Sequence, residues 1–283
     1  RLRFFILLFA ASSLLFQFPS EAFAVDDITA TDAETDGVNG FTELDGAREV
    51  ATFVIGSSTY AIVASSVDNG VQIIDISDPE NIVAKDSATD GDAGGFDELG
   101  GATGVAIFTI GSSTYAIVTA HTDTVGAKIG GVQIIDISDP DNIVAKDSAH
   151  DDDAGGFDEL YTPAGVDTFV IGSSTYAIVA GYNDNGVQII DISDPENISA
   201  TDSETDNANG FTKLNLPTDV DTFVIGSSTY AIVVGGEGVT IINISDPENI
   251  VAKGSATDGE NGFTELNGPH RVDTFVIGSS TYA

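Results

Sequence analysis

Short apolar runs separated by small polar turns recur along this chain in a fixed order. In one copy, Val105-Ala106-Ile107-Phe108-Thr109-Ile110 is followed by Gly111-Ser112-Ser113-Thr114, and then by Tyr115-Ala116-Ile117-Val118. Val132-Gln133-Ile134-Ile135-Asp136-Ile137 comes next, then the Pro-bearing stretch Ser138-Asp139-Pro140-Asp141-Asn142, then Ile143-Val144-Ala145-Lys146. β-Branched runs bounded by Gly, Pro, Asn and Asp predict strands, here named a, b, c and d. Beyond the N-terminal segment, no stretch keeps a helical apolar period over ten or more residues. Apolar residues also stand side by side, as in Val54-Ile55 and Ile73-Ile74. Neighbours on a strand point to opposite faces, so both faces of each sheet must be covered.

The turn glycines Gly56, Gly111, Gly172, Gly226 and Gly278 place the copies 52 to 61 residues apart. Four strands per copy at that period, in sheets stacked face to face, predict an all-β fold, a β-propeller of four-stranded antiparallel blades. The chain holds four full repeats and pieces of a fifth: Ile28 to Glu34 matches strand d, and Val272 to Ala283 matches strands a and b. Pairing an outer strand from the N-terminus with inner strands from the C-terminus would close such a ring without leaving open edges.

Gly70-Val71-Gln72-Ile73-Ile74-Asp75-Ile76-Ser77-Asp78-Pro79 recurs at Gly131 to Pro140, at Gly186 to Pro195 and, with Asn243 in place of the Asp, at Gly238 to Pro247. This segment, with the preceding Tyr-Ala-Ile-Val strands, resembles the LVIVD repeat of secreted and cell-surface β-propellers. The resemblance spans nearly all of the chain after the N-terminal segment and implies a scaffold rather than one activity. The long acidic connection before each strand a departs from it. Absence of Trp removes the signatures of WD40 blades, quinoprotein dehydrogenases and sialidases.

Length variation locates the adaptable surface. From each turn Gly to the Pro of the following c–d turn the gaps are 23, 29, 23 and 21, whereas from that Pro to the next Gly they are 32, 32, 31 and 31. The b–c loop therefore absorbs the variation. In an antiparallel meander the b–c loops and d–a connections share one face, and the uniform a–b and c–d turns share the other. Binding is expected on the variable, acidic face.

Two connections, Asp90-Gly91-Asp92-Ala93-Gly94-Gly95-Phe96-Asp97-Glu98 and Asp151-Asp152-Asp153-Ala154-Gly155-Gly156-Phe157-Asp158-Glu159, space their acids somewhat like a calcium loop. Asp90, Asp92, Asp97, Asp151, Asp153 and Asp158 are the candidate ligands. The competing reading is a solvated turn whose Phe96 and Leu99 plug the seam between blades. Calcium is the one cofactor this pattern raises. At the start of strand a, Arg48, Glu49, Asp219, His270 and Arg271 would ring the channel mouth, as a site for a small polar ligand or as a hydrated rim. Asp75, Asp136, Asp191 and Asn243 are expected to accept hydrogen bonds from the turn that follows. His121, His150 and His270 do not share zinc spacing, and no Ser-His-Asp arrangement stands out from the repeat.

Composition narrows the classes. Nine basic and 45 acidic residues give a formal charge of −36, which disfavours nucleic acid and anionic membranes and suits salty surroundings or bound cations. Cysteine is absent, so core burial alone must hold the fold. Arg1-Leu2-Arg3, an apolar run from Phe4 to Phe18 and Ala22-Phe23-Ala24 predict a signal peptide over residues 1–24, with the propeller from 25 to 283. No later apolar segment is long enough for a spanning helix, so the mature chain is not expected to insert in a membrane. The chain begins without Met and stops inside a strand pair, as a C-terminally truncated fragment would. The functional expectation is a non-enzymatic, secreted or cell-surface scaffold that binds protein or glycan. A calcium-dependent adhesion module, and a hydrolase or lyase with its site at the channel mouth, are the alternatives.

Overall fold

Each repeat begins with a tight hairpin whose turn chemistry fixes its register. In the computed structural model, which describes residues 30–121 and 130–283, Gly56 and Ser57 join β1 (Ala47–Ile55) to β2 (Ser58–Ser65). Gly56, Gly111, Gly172, Gly226 and Gly278 all have φ between 63° and 66°, the left-handed conformation that a two-residue hairpin demands at its first position. The turn sets Phe53 opposite Tyr60, and their rings stack at 5.5 Å. The same pair recurs as Phe108–Tyr115, Phe169–Tyr176, Phe223–Tyr230 and Phe275–Tyr282.

Strands c and d complete each blade. Blade 1 adds β3 (Gly70–Asp75) and β4 (Val83–Thr89); blade 2 is β5 (Ala102–Ile110), β6 (Ser113–Ala120), β7 (Gly131–Asp136) and β8 (Val144–His150). Blade 3 is β9 (Pro163–Ile171), β10 (Ser174–Gly181), β11 (Gly186–Asp191) and β12 (Ser199–Thr205), and blade 4 is β13 (Pro217–Ile225), β14 (Ser228–Gly235), β15 (Gly238–Asn243) and β16 (Val251–Ala256). All four are antiparallel meanders, and β17 (Phe275–Ile277) with β18 (Ser280–Tyr282) forms a further hairpin. This is the β-propeller of four-stranded blades that the pattern predicts. The expected signal peptide over residues 1–24 lies outside the described residues, as does most of the long b–c loop of blade 2.

Paired apolar neighbours serve two seams at once. Ile135 packs between blades 1 and 2 with Phe53, Ile73 and Leu99, whereas the adjacent Ile134 packs between blades 2 and 3 with Phe157 and Leu160. Phe96 and Leu99 do fill the first of these seams. The inner strands β1, β5, β9 and β13 follow one another side by side.

Strand d is longer than its apolar part implies, because β8 runs on through Lys146, Asp147, Ser148 and Ala149. Its register shifts opposite Ile134, a β-bulge that leaves Asp147 with free hydrogen-bonding capacity. Asp147 Oδ2 accepts from Ile198 N of the next blade at 2.8 Å, and Oδ1 accepts from Ser148 N. Asp86 does the same for Ile143, and Asp202 for Ile250. Asp32 accepts from Ile82 N in the same way, so the segment around it occupies the strand-d place of a preceding blade although it forms no ladder. Asp147→Ala should remove both bonds and lower stability by roughly 2–3 kcal/mol, measurable as a shift in the urea midpoint.

Candidate functional site

The d–a connections and b–c loops share one face, as their mutual hydrogen bonds show: Ser66 N donates to Gly46 O, and Asp45 N to Asp68 Oδ2 at 2.6 Å. In every copy the first Asp of the connection closes the loop on itself. Asp36, Asp90, Asp151, Asp206 and Asp258 accept from the backbone N of Leu44, Leu99, Leu160, Leu214 and Leu266 at 3.0–3.1 Å. Asp92 and Asp153 accept from Thr89 N and His150 N. Asp97 and Asp158 are exposed, and their backbone N–H groups bond Gln133 and Gln188. The six candidate calcium ligands are thus spread over loop closure and solvent, and among the described residues no three acidic or His side chains converge as a metal-ligand set. The Asp that recurs in all copies is the one that turns the chain.

Gln72, Gln133 and Gln188 anchor these connections, and sequence reading passed over them. Gln133 is fully buried; its Oε1 accepts from Asp97 N and Glu98 N, and its Nε2 donates to Ile134 O and Asp147 O. The signal was a polar residue recurring inside an apolar strand. Asp75, Asp136, Asp191 and Asn243 accept from the N of Ser77, Ser138, Ser193 and Ser245, at 2.9–3.0 Å. Both residue types perform the same task, which explains their exchange.

A cavity of about 1180 Å³ opens at the centre of the inner strands, with Arg48, Glu49, Asp219 and Arg271 among its lining residues. Four of the five rim candidates therefore meet. His270 is exposed and does not line the cavity. Arg271 Nη1 lies 2.8 Å from Glu49 Oε2 and 3.7 Å from Asp219 Oδ1, and Nη2 donates to Arg48 O. This bridge joins the last inner segment to β1. Burial works against the Arg271 charge, but the Glu49 and Asp219 carboxylates together outweigh it and raise its pKa.

The charged side chains are confined to one arc of the mouth. At the position of Glu49, Asp219 and Arg271, blades 2 and 3 carry Gly104 and Gly165. A Cβ at Gly165 would collide with the Cα of Asp219, and one at Gly104 with Ala164 O. Asp219 Oδ2 at the mouth accepts from Val272 N, and deeper in Asp167 Oδ2 accepts from Thr222 N and Asp221 Oδ2 from Thr274 N, at 2.7–2.8 Å. Burial raises Asp167 and Asp219 to about 6 against these bonds. Their first task is holding adjacent inner strands together, a role the sequence did not signal. His121 lies at the end of β6, where burial first and Arg48 second lower its pKa.

The LVIVD repeat profile matches residues 53–90, 125–151, 170–203 and 224–258. No curated protein matches the chain. Among solved structures, a family 117 glycoside hydrolase, Zg3597, from the marine bacterium Zobellia galactanivorans is 11% identical, with a TM-score of 0.52 over 83% of this chain and 79% of that one. A Lactobacillus plantarum protein is 13% identical, with a TM-score of 0.51 over 75% of this chain and 57% of the other. A thermostable family-43 glycoside hydrolase is 9% identical, with a TM-score of 0.50 over 78% and 74%. At these identities the likeness is one of fold.

Proposed function

Since the chain is an LVIVD-repeat protein built as a β-propeller, we propose that it is a non-enzymatic scaffold of the extracellular space or cell surface, which binds protein or glycan through its acidic loop face. The observation that carries this reading is the division of labour among the carboxylates. In the channel, Asp167, Asp219 and Asp221 are bonded to the backbone of the next blade. On the loop face, Asp97 and Asp158 are exposed, with backbone anchors that leave their side chains outward. A charge of −36 favours partners with cationic groups and makes association sensitive to salt. The N-terminal pattern read as an export signal supports the location.

A hydrolase reading draws on the raised Asp219 and Asp167, since a carboxyl held near neutrality suits a general acid. Their commitment to backbone N–H groups argues against it. A panel of basic extracellular proteins and glycans tested on immobilised protein separates the two. Asp97→Asn with Asp158→Asn should weaken capture about threefold or more at low salt, and Asp219→Asn should leave it unchanged. Turnover of any glycoside that disappears in Asp219→Asn would overturn the scaffold reading.

A further inference from the structure

One position of the loop face differs in charge between copies of the same connection. Glu43, Glu98 and Glu159 each stand two residues after a seam phenylalanine, and Lys213 takes that place after Phe211. Glu43 and Glu159 are 8% and 7% exposed, and among the described residues Oε2 of each has no hydrogen-bond partner. Each carboxyl lies over the glycine that opens strand c. A Cβ at Gly70 would meet Glu43 Oε2 together with Ala88 O, and one at Gly186 would meet Glu159 Oε2 together with Glu204 O. The carboxyl oxygen and the carbonyl oxygen crowd the same small space over the glycine, which disfavours a negative charge on the carboxyl.

The surroundings favour the neutral acid. Asp36 of the connection, Asp68 of the b–c loop and Asp92 of the next connection act on Glu43, against which Thr89 of β4 donates to its Oε1 at 3.1 Å. Around Glu159 stand Asp151 and Asp158 of its own connection, Asp184 of the b–c loop and Glu204 of β12. A buried carboxylate without a counter-charge takes up a proton rather than pay for desolvation. Burial first, then the neighbouring carboxylates, pushes Glu159 up to about 8; burial raises Glu43 to about 7 despite the Thr89 bond. Blade 4 meets the same site differently, with Lys213 Nζ 4.0 Å from Glu237 Oε2. In blade 2, Glu98 Oε1 lies 3.8 Å from His150 Nδ1.

We propose that protonated Glu43 and Glu159 latch the loop face of blades 1 and 3, and that their ionisation releases those loops while the Lys213 copy in blade 4 stays indifferent to pH. Opening would let water reach the new charge, and it would expose the Asp68 and Asp184 loops on the face assigned to binding.

Hydrogen exchange, corrected for its intrinsic pH dependence, tests this within one molecule. Protection of residues 157–162 and 182–186 should fall roughly tenfold between about pH 6 and pH 9, while that of residues 212–217 and 236–240 holds. Glu159→Gln should keep blade 3 protected at both pH values, and Glu43→Gln should do so for blade 1 alone. Parallel behaviour of blades 3 and 4 in the unmodified protein would overturn the latch without recourse to any variant. So would a pH response that survives Glu159→Gln. Full restoration of protection by calcium at high pH would also overturn it, by making the site one for a cation.

Discussion

Gln133→Leu is expected to lower the unfolding free energy by roughly 3–5 kcal/mol, since it takes a buried hydrogen-bond partner away from four backbone groups at once. Gln133 is 0% exposed and makes four hydrogen bonds, to Asp97 N, Glu98 N, Ile134 O and Asp147 O. Leucine has similar bulk, so the cost is not that of a cavity. The loss also frees the covering connection and the bulge that carries the Asp147 staple, and so couples two contacts between blades. Thr240 occupies the position in blade 4 and bonds Lys213 O instead; Gln133→Thr should therefore recover part of the loss. Urea unfolding followed by tyrosine fluorescence measures both. A Gln133→Leu protein within about 1 kcal/mol of the parent would remove the anchoring role.

Mild acid is expected to stabilise this protein, with the melting temperature highest near pH 5 and falling on the order of 10 °C toward pH 9. Burial raises Glu159 to about 8 and Glu43 to about 7, and Asp167, Asp184 and Asp219 to about 6. Each folded value exceeds the unfolded one, so the unfolded chain releases these protons more readily. The stabilising contribution is whole below the ordinary carboxylate range and is lost as pH rises through 6 to 8. A few kcal/mol lost in this way corresponds to the stated shift at about 2–4 °C per kcal/mol for a domain of this size. Asp75 opposes the trend in stronger acid, because the Ser77 hydrogen bonds lower its pKa and are lost on protonation. Scans should be run in high salt, which screens the repulsion of the −36 net charge but leaves the desolvation of buried carboxyls in place. A melting temperature that is flat or rises from pH 5 to pH 9 would contradict the assignment.

Much of the architecture was legible because repetition multiplies a weak signal. One Val-Gln-Ile-Ile run is ambiguous, but three copies and a Val-Thr-Ile-Ile variant, flanked by the same turns, fix strand order, blade size and the division into a uniform and a variable face. The turn glycines, the Asp and Asn acceptors of strand c and the Phe96–Leu99 plug followed from local chemistry. The polar second half of strand d was not legible, since Lys146, Asp147 and Ser148 have the composition of a turn and become strand only by pairing with β7. Asp147 could not be separated from dozens of other acidic residues until the bulge aimed it at Ile198. The calcium-like spacing of Asp90 and Asp92 is equally the spacing that closes a loop on Leu99 and Thr89. Only the placement of backbone N–H groups shows which task these carboxylates perform.

By itself, the sequence determined the repeat, the strands and which loops are free to vary, because those depend on residues close together in the chain. Tertiary structure decided which carboxylates are buried, which are bonded across blades and which face solvent. Asp97 and Glu98 are adjacent and both acidic, yet one is exposed and the other is 1% exposed. That difference arises only when blades stack, because burial and hydrogen bonding between blades are properties of positions far apart in sequence.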